Sequence, residues 1–307
     1  MADIRRLITD HGIDTARQLV TSKAERSALE AAYAYMSDES QELGIAHAGF
    51  ALTSLPHTNP DRAQDPEYHR KSNNRCTLII QSGRRSDGSL VGVPYGAKAR
   101  MILLYLQTQA VRTNCRRVEL GDNWHAWMKA MGERSAGGKT YQLVREQAQR
   151  ITACSLQFIW DTPTAELRTN AAFVRNAISF KSTPADTRQV TLFQDEVELD
   201  ETFFADLKRH PVPLSEAALR HISGHSAAID IYIWLSYRLH VLEKPTPVRW
   251  HAVKAQFGEH YKKLSHLKPN FLAALSMALA VYPDARVDVT DEGLVLHPSR
   301  PPIAKIA

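Results

Sequence analysis

The residues of this chain best suited to chemistry are few, and their spacing assembles no reaction centre. Gly138-Lys139-Thr140 is like the close of a phosphate-binding loop, where backbone N–H groups and a lysine cradle phosphates. The first glycine of such a loop would stand at position 133, which is Glu133, and Gly132 misses it by one. The segment also follows a helical pattern, where that loop needs a strand. His221 and His225 stand four apart, as zinc ligands on one helix face do, but Ile222-Ser223-Gly224 lies between them without the motif's Glu. They read as solvated histidines at a helix end. Asp195, Glu196 and Glu198 lie in a strand-like stretch whose alternation divides them between two faces, which suits a solvated edge or a basic partner better than a metal. Cys76, Cys115 and Cys154 have no zinc-finger spacing, and their odd, scattered occurrence reads as reduced thiols of a cytoplasmic protein. No His-x-His pair occurs. No catalytic residue, metal or cofactor is expected.

What remains is charge, and its chemistry is polyanion binding. The 307 residues carry a formal charge of only +5, but the charges are segregated. Between Tyr68 and Val118 ten Lys and Arg face Asp87 alone. From Ala185 to Asp206 seven Asp and Glu stand against Arg188. From Lys244 to Phe271 six Lys and Arg stand against Glu259. Two basic stretches flanking an acidic one point to nucleic acid. The composition, 44% hydrophobic and 23% charged, is too apolar for disorder. Phe271–Tyr282 is too short to span a bilayer, and the opening Met-Ala-Asp-Ile-Arg-Arg has no apolar run, so neither membrane nor signal segment is expected.

The elements that must position these charges follow one order twice. Ser22-Lys23-Ala24-Glu25 fits a capping box and opens a helix over 23–37. Thr53–Asn74, rich in Pro, Asn, Asp and Arg, reads as a linker. A hairpin of Thr77–Gln81 and Ser89–Val93 precedes a helix opened by Pro94, with Ala99, Ile102, Leu103, Leu106 and Ala110 on one face. Val118–Leu120 is extended. Asp122 caps a second helix carrying Trp124, Trp127, Met128 and Met131, and after Gly137-Gly138 comes a third, with Tyr141, Val144, Ala148 and Ile151 inward. Ser155–Trp160 and Phe173–Lys181 are then a strand pair. In the second half the apolar helix 226–241, a helix from Val248 to Gly258, a helix through Leu272, Leu275 and Leu279, and the hairpin Arg286–Val289/Leu294–His297 repeat the order. Ile102–Leu106 aligns with Ile231–Leu235, so two related units are expected. The fold class is α+β, mainly helical: tandem winged-helix domains over 71–205 and 206–307, plus an N-terminal helical extension and linker over 1–70.

The run Val93-Pro94-Tyr95-Gly96-Ala97-Lys98-Ala99-Arg100-Met101-Ile102-Leu103-Leu104-Tyr105-Leu106, with Glu119-Leu120-Gly121 and Gly137–Tyr141, resembles the RepA family of plasmid-encoded replication initiators. His210-Pro211-Val212-Pro213-Leu214, Ala228–Leu239, Lys244–Val248, Ala280–Pro283 and Gly293–Pro298 extend the resemblance to about Cys76–Ser299. It implies a protein that binds direct repeats in double-stranded origin DNA, helps to melt nearby DNA, and recruits the host initiator and replicative helicase. It also implies a homodimer alternating with a DNA-binding monomer. The family has no catalytic motif to carry over.

With that reading, each third helix enters a major groove and its hairpin lies on the flanking backbone. The first unit then offers Lys139, Gln142, Arg145 and Arg150 on the helix and Arg168 and Arg175 on the wing. The second offers Lys262, Lys263, His266, Lys268 and Asn270 around the helix start, with Arg286 on its wing. Helix N-terminal N–H groups favour phosphate, which suits Lys262 and Lys263, whereas Gln142, Arg145 and Asn270 can bond a base edge bidentately. A winged-helix transcriptional regulator, or a helical module whose basic faces bind an acidic protein, are the competing readings.

Overall fold

The computed structural model describes residues 4–40, 42–60, 67–73, 75–120, 127–129, 131, 137–161, 164, 166–176, 196–258 and 261–303. In chain order the elements are α1 (Ile4–His11), α2 (Ile13–Leu19), α3 (Lys23–Met36), β1 (Leu43–His47), α4 (Gly49–Leu52), β2 (Tyr68–Ser72) and β3 (Cys76–Gln81). Then come α5 (Gly96–Thr113), β4 (Arg117–Glu119), α6 (Gly138–Ala153), β5 (Ser155–Asp161), β6 (Glu166–Ala172), β7 (Val174–Asn176) and β8 (Glu196–Leu199). The rest are α7 (Glu201–Arg209), β9 (Pro211–Ser215), α8 (Glu216–Ile222), α9 (Ser226–Arg238), β10 (Thr246–Arg249), α10 (Trp250–Phe257), α11 (Leu264–Ala280), β11 (Val287–Val289) and β12 (Gly293–Leu296). The class is α+β, with helices predominating.

The capping box forms as its sequence predicts: Ser22 Oγ accepts from the Glu25 N–H at 3.1 Å, and the Ser22 N–H donates to Glu25 Oε2 at 3.3 Å. The α3 face of Ala28, Leu29, Ala31 and Ala32 joins one core with Phe271, Leu275 and Tyr282, so the N-terminal helices pack on the C-terminal half of the chain. Arg5 extends that attachment by donating to the Pro283 carbonyl at 2.8 Å. A second core gathers Leu78, Ile80, Ile102, Leu106, Trp127, Val144, Leu156 and Phe158. Helix α5 serves both, Met101 and Leu104 belonging to the first core and Ile102, Leu103 and Leu106 to the second. A single apolar face had been expected of it. It is enclosed nearly all round.

The strand pairings depart from expectation in three places. Cys76–Gln81 does not pair with Ser89–Val93, where only an Arg84–Leu90 bridge forms; it lies between β2 and β5 in a sheet ordered β2-β3-β5-β6. β2 lies inside the stretch read as linker, because an edge strand of Tyr-His-Arg-Lys-Ser shows no apolar alternation. The hairpin partner of β5 is β6, not Phe173–Lys181; Val174–Asn176 pairs instead with β8, which in turn pairs with β4. In the second half β10 completes a sheet ordered β10-β12-β11, so Val248 is extended and the helix begins at Trp250. Gly293 is required there, since a Cβ would collide with the Val248 carbonyl on the facing strand. The predicted cap at Asp122 and Trp124 lie outside the described residues.

The two-stranded ribbon of β1 and β9 ties distant parts of the sequence together. One edge is sealed by α5, whose Thr108 Oγ1 and Gln107 Oε1 accept the Ile45 and His47 N–H groups at 2.8 and 2.7 Å. The opposite edge is sealed by composition. His210 and Glu216 bond to β1, so alternation turns residues 211, 213 and 215 outward. Pro211 and Pro213 have no N–H to leave unpaired, and Ser215 gives its own to Tyr232 Oη at 2.9 Å.

Two buried polar pairs lock the halves. Arg100 on α5 meets Asp230 on α9 through two hydrogen bonds, Nε–Oδ1 at 2.6 Å and Nη2–Oδ2 at 2.7 Å, with side chains 4% and 6% exposed. The same guanidinium donates to the Leu55, Pro56 and Gly96 carbonyls at 2.7, 3.1 and 2.9 Å. His47 stacks on Phe158 and meets Asp206 at 2.9 Å through Nε2, while its Nδ1 accepts the Gly49 N–H at 3.0 Å. That acceptor role places the imidazole proton on Nε2, aimed at the carboxylate. Burial pushes the His47 pKa down despite the carboxylate.

Two outcomes follow from these pairs. Arg100→Met, which takes from the buried Asp230 carboxylate its guanidinium partner, costs about 3–5 kcal/mol in urea unfolding, and the Arg100→Met/Asp230→Leu double variant costs less than that single change. His47 binds its proton less readily folded than unfolded, so its contribution lowers stability as pH falls below about 6.5. The urea midpoint therefore drops between pH 7 and pH 5, and less steeply in His47→Asn.

Candidate nucleic-acid interface

The C-terminal unit presents the clearer surface. α9, β10, α10, α11 and the β11/β12 hairpin follow in the order helix, strand, helix, helix, hairpin. α11 is held by Leu267, Phe271 and Leu275 in the core, which leaves its opposite face to solvent. On that face His266 and Asn270 are exposed four residues apart, and Lys262 and Lys263 are exposed in the turn that leads into the helix. Asn270 Nδ2 donates to the His266 carbonyl at 2.8 Å, so its amide is folded onto its own helix. Lys268 is half-buried: its ammonium sits 4.9 Å from the Trp250 ring centroid and approaches the Asp291 carbonyl at 3.4 Å. It braces α11 against α10 and the hairpin turn. Arg286 is exposed immediately before β11, and its carbonyl accepts the His297 N–H at 3.0 Å.

One cation was not singled out among the sequence candidates. Lys254 on α10 donates to the Lys262 carbonyl at 3.2 Å and so borders the same turn. It belongs to the basic run noted in the sequence, but nothing in its spacing told that α10 and the turn would meet.

The N-terminal unit is different. Lys139 and Gln142 are exposed on α6, and Arg145 is half-buried. Arg150 is turned inward, against the expectation that it lies on the outer face. It is 6% exposed, donates to the Val93 carbonyl at 3.0 Å, pairs with Glu146 at 2.9 Å and stacks 4.9 Å from the Tyr95 ring centroid. Gly92, at φ +92°, is the counterpart of that placement, because a Cβ there would strike the guanidinium. Arg150 closes the 92–95 turn onto α6; it has no surface to offer a groove. Gln147 helps by accepting the Tyr95 N–H at 2.8 Å.

The expected wing residues of this unit separate. Arg168 is exposed on β6 and pairs with Glu166 on the same strand at 2.7 Å. Arg175 is exposed on β7, which belongs to another sheet. They are not two points on one hairpin. The acidic stretch contributes side chains that face basic ones: Glu198 pairs with Arg116 at 2.9 Å, Glu201 approaches the same guanidinium at 3.9 Å, and Glu196 approaches Arg117 at 3.7 Å. Part of the positive charge of residues 68–118 is therefore neutralised locally, and Arg100 and Lys71 are buried outright.

Among the described residues no group of three or more His, Cys, Asp or Glu is placed to hold a metal ion. His221 is not the solvated residue expected: its Nε2 meets Asp38 Oδ2 at 3.1 Å with the side chain largely enclosed. Among the described residues no helix is long and apolar enough to cross a membrane.

A family model described as plasmid encoded RepA protein matches residues 93–251, which runs from the turn before α5 into the start of α10. A crystal structure of domains 2 and 3 of RctB aligns with TM-score 0.48 and 13% identity over 76% of this chain and 84% of that one. A second structure of RctB domains 2–3 aligns with TM-score 0.44 and 10% identity over 78% and 92%. No curated protein matches the chain.

The placements separate the roles of the basic residues. Arg145→Ala costs about 1–3 kcal/mol of binding and relaxes preference at one position if it reads a base, as competition with a set of substituted duplexes would report. Lys262→Ala and Lys263→Ala weaken all sequences alike and lower the slope of log K against log salt by about one each. Arg150→Ala lowers the unfolding midpoint instead and leaves the salt slope unchanged.

Proposed function

The chain belongs to the family of plasmid-encoded RepA proteins, a family of replication initiators, and from that premise we propose that it binds direct repeats in its plasmid's origin through two winged-helix units. The observation that carries the proposal is the exposed pair His266 and Asn270 on α11, with Lys262 and Lys263 exposed in the turn before it and Arg286 just ahead of the hairpin that follows. An α-helix fits the major groove and a short hairpin can rest against the adjoining backbone. Lys262 and Lys263, at the helix start, hold phosphate; His266 and Asn270, farther along, face base edges once Asn270 releases the His266 carbonyl.

The first unit works in the same way with fewer charges. Lys139, Gln142 and Arg145 on α6 form its groove surface, and Arg168 touches backbone from β6. Domain limits of 71–205 and 206–307 assign one repeat half-site to each unit, with the helices of 1–36 bracing the second and Phe50, Leu52 and Leu55 packing into the first. The protein supplies binding energy and no catalytic step: contacts spread over two units deform the site, nearby DNA opens, and the host initiator and replicative helicase are recruited to it. A dimer would mask part of this surface and act as the repressing form.

The test is fluorescence anisotropy with a duplex carrying two of the direct repeats that flank the gene, against a scrambled duplex, at physiological salt. The repeat duplex should bind about 10³-fold tighter or more. Equal, weak binding to both would end the initiator reading. A plasmid with the gene and its repeats as sole origin should be maintained, and lost when Lys262 and Lys263 are both replaced by Glu.

A further inference from the structure

A groove of about 620 Å³ lies against the β1–β9 ribbon, lined by residues of both strands, and none of the residues assigned above to DNA lines it. One side is the ribbon itself, with Leu43, Pro211 and Pro213; the other is the end of α9 and the turn after it, with Tyr237, Val241 and Leu242. Val241 is 63% exposed, a large apolar side chain left in water. Among the described residues its lining includes three basic side chains, Arg75, Arg238 and His240, and no acidic one.

Two features of this groove want a partner. The Nε–H of Arg238 is enclosed and meets no acceptor among the described residues. An enclosed donor without an acceptor costs about 1–3 kcal/mol, so it marks a place where an acceptor is due. The β9 edge is the other. Residues 211 and 213 point outward, and as prolines they present carbonyl oxygens and no N–H. Such an edge accepts hydrogen bonds from a passing chain and cannot return them, which rules out a regular added strand while still holding an extended segment.

We propose that this groove docks an acidic peptide segment of a partner protein. An apolar side chain of the segment seats against Tyr237 and Val241, its carboxylates face Arg75 and Arg238, and its backbone N–H groups donate to the Pro211 and Pro213 carbonyls. Charge complementarity selects this occupant: a basic rim with no acidic lining residue repels a basic segment, and an apolar wall gains nothing from a uniformly polar one.

The probe is a dye-labelled peptide, Asp-Asp-Glu-Leu-Asp-Leu-Glu-Glu, titrated with the full chain in the absence of DNA. The contrast peptides replace the acids by their amides or the leucines by serine. Binding should weaken about tenfold for each contrast peptide and for the variants Val241→Asp and Arg75→Glu, both of exposed residues whose folding is checked by thermal melting. Origin-repeat duplex binding should be unchanged in Val241→Asp. Equal binding by the amide peptide, or by both variants, overturns the proposal. Loss of duplex binding in Val241→Asp, matching the peptide loss, assigns the groove to DNA instead. A dimer in sedimentation that Val241→Asp dissolves, without peptide binding by the parent chain, assigns it to a second copy. Because the peptide titration contains no DNA, it fails or succeeds independently of the initiator reading.

Discussion

The buried pair of Arg100 and Asp230 is the constraint on which the arrangement of both halves depends. A guanidinium and a carboxylate taken out of water are costly unless their geometry is good and their remaining donors are satisfied. Here two bonds run between the charges, and three backbone carbonyls from the 55–56 turn and α5 accept the rest. Such a site tolerates little sliding. It fixes α5 against α9 in register, and it pulls the 55–56 turn onto both. When Ile102–Leu106 is aligned with Ile231–Leu235, Asp230 falls opposite Met101, one position from Arg100, so the pair joins α5 and α9 at nearly matching positions of that alignment.

Around that point the seam is held by side chains that reach backbone. Lys71 on β2 donates to the Ala255 carbonyl at the end of α10 at 2.9 Å, and Gln256 donates to the Ala51 carbonyl at 3.1 Å. A lysine at a helix C-terminus also meets the negative end of its dipole. Thr108 and Gln107 turn the third side of α5 toward β1. α5 therefore belongs to neither half alone: it is apolar toward two cores and polar toward a strand and an aspartate. That explains why its sequence shows so weak a single stripe.

Much of the helical order was legible because it rests on local signals. The Ser22/Glu25 box, the glycine after Phe257 and the proline after Tyr282 each end or begin an element through chemistry confined to one turn. What escaped was non-local. β2 is polar because its lysine is consumed by a distant helix end. The partner of β5 could not be read from its own alternation, since Glu166–Ala172 is largely exposed and Phe173 had the stronger pattern. For the site, the charges around the start of α11 were legible as a cluster, but not that Lys268 turns in against Trp250. Nor was the placement of Arg150, because an arginine on a helix looks the same in sequence whether it faces solvent or a Gly-lined pocket. Only Gly92 hinted otherwise, and its meaning depends on a contact across 58 positions.

The β1–β9 ribbon places residues 48–210 as a closed excursion between two paired strands. The core that holds α3 is consequently finished by residues 264–282, at the far end of the chain. On the ribosome the apolar side of α3 emerges early and waits through most of synthesis for its mate, while the second core, composed of residues 50–203, can close in the interval. The topology thus lets the interior excursion close before the segments that flank it meet. The period in which Leu29 and its neighbours lack cover is set by translation speed.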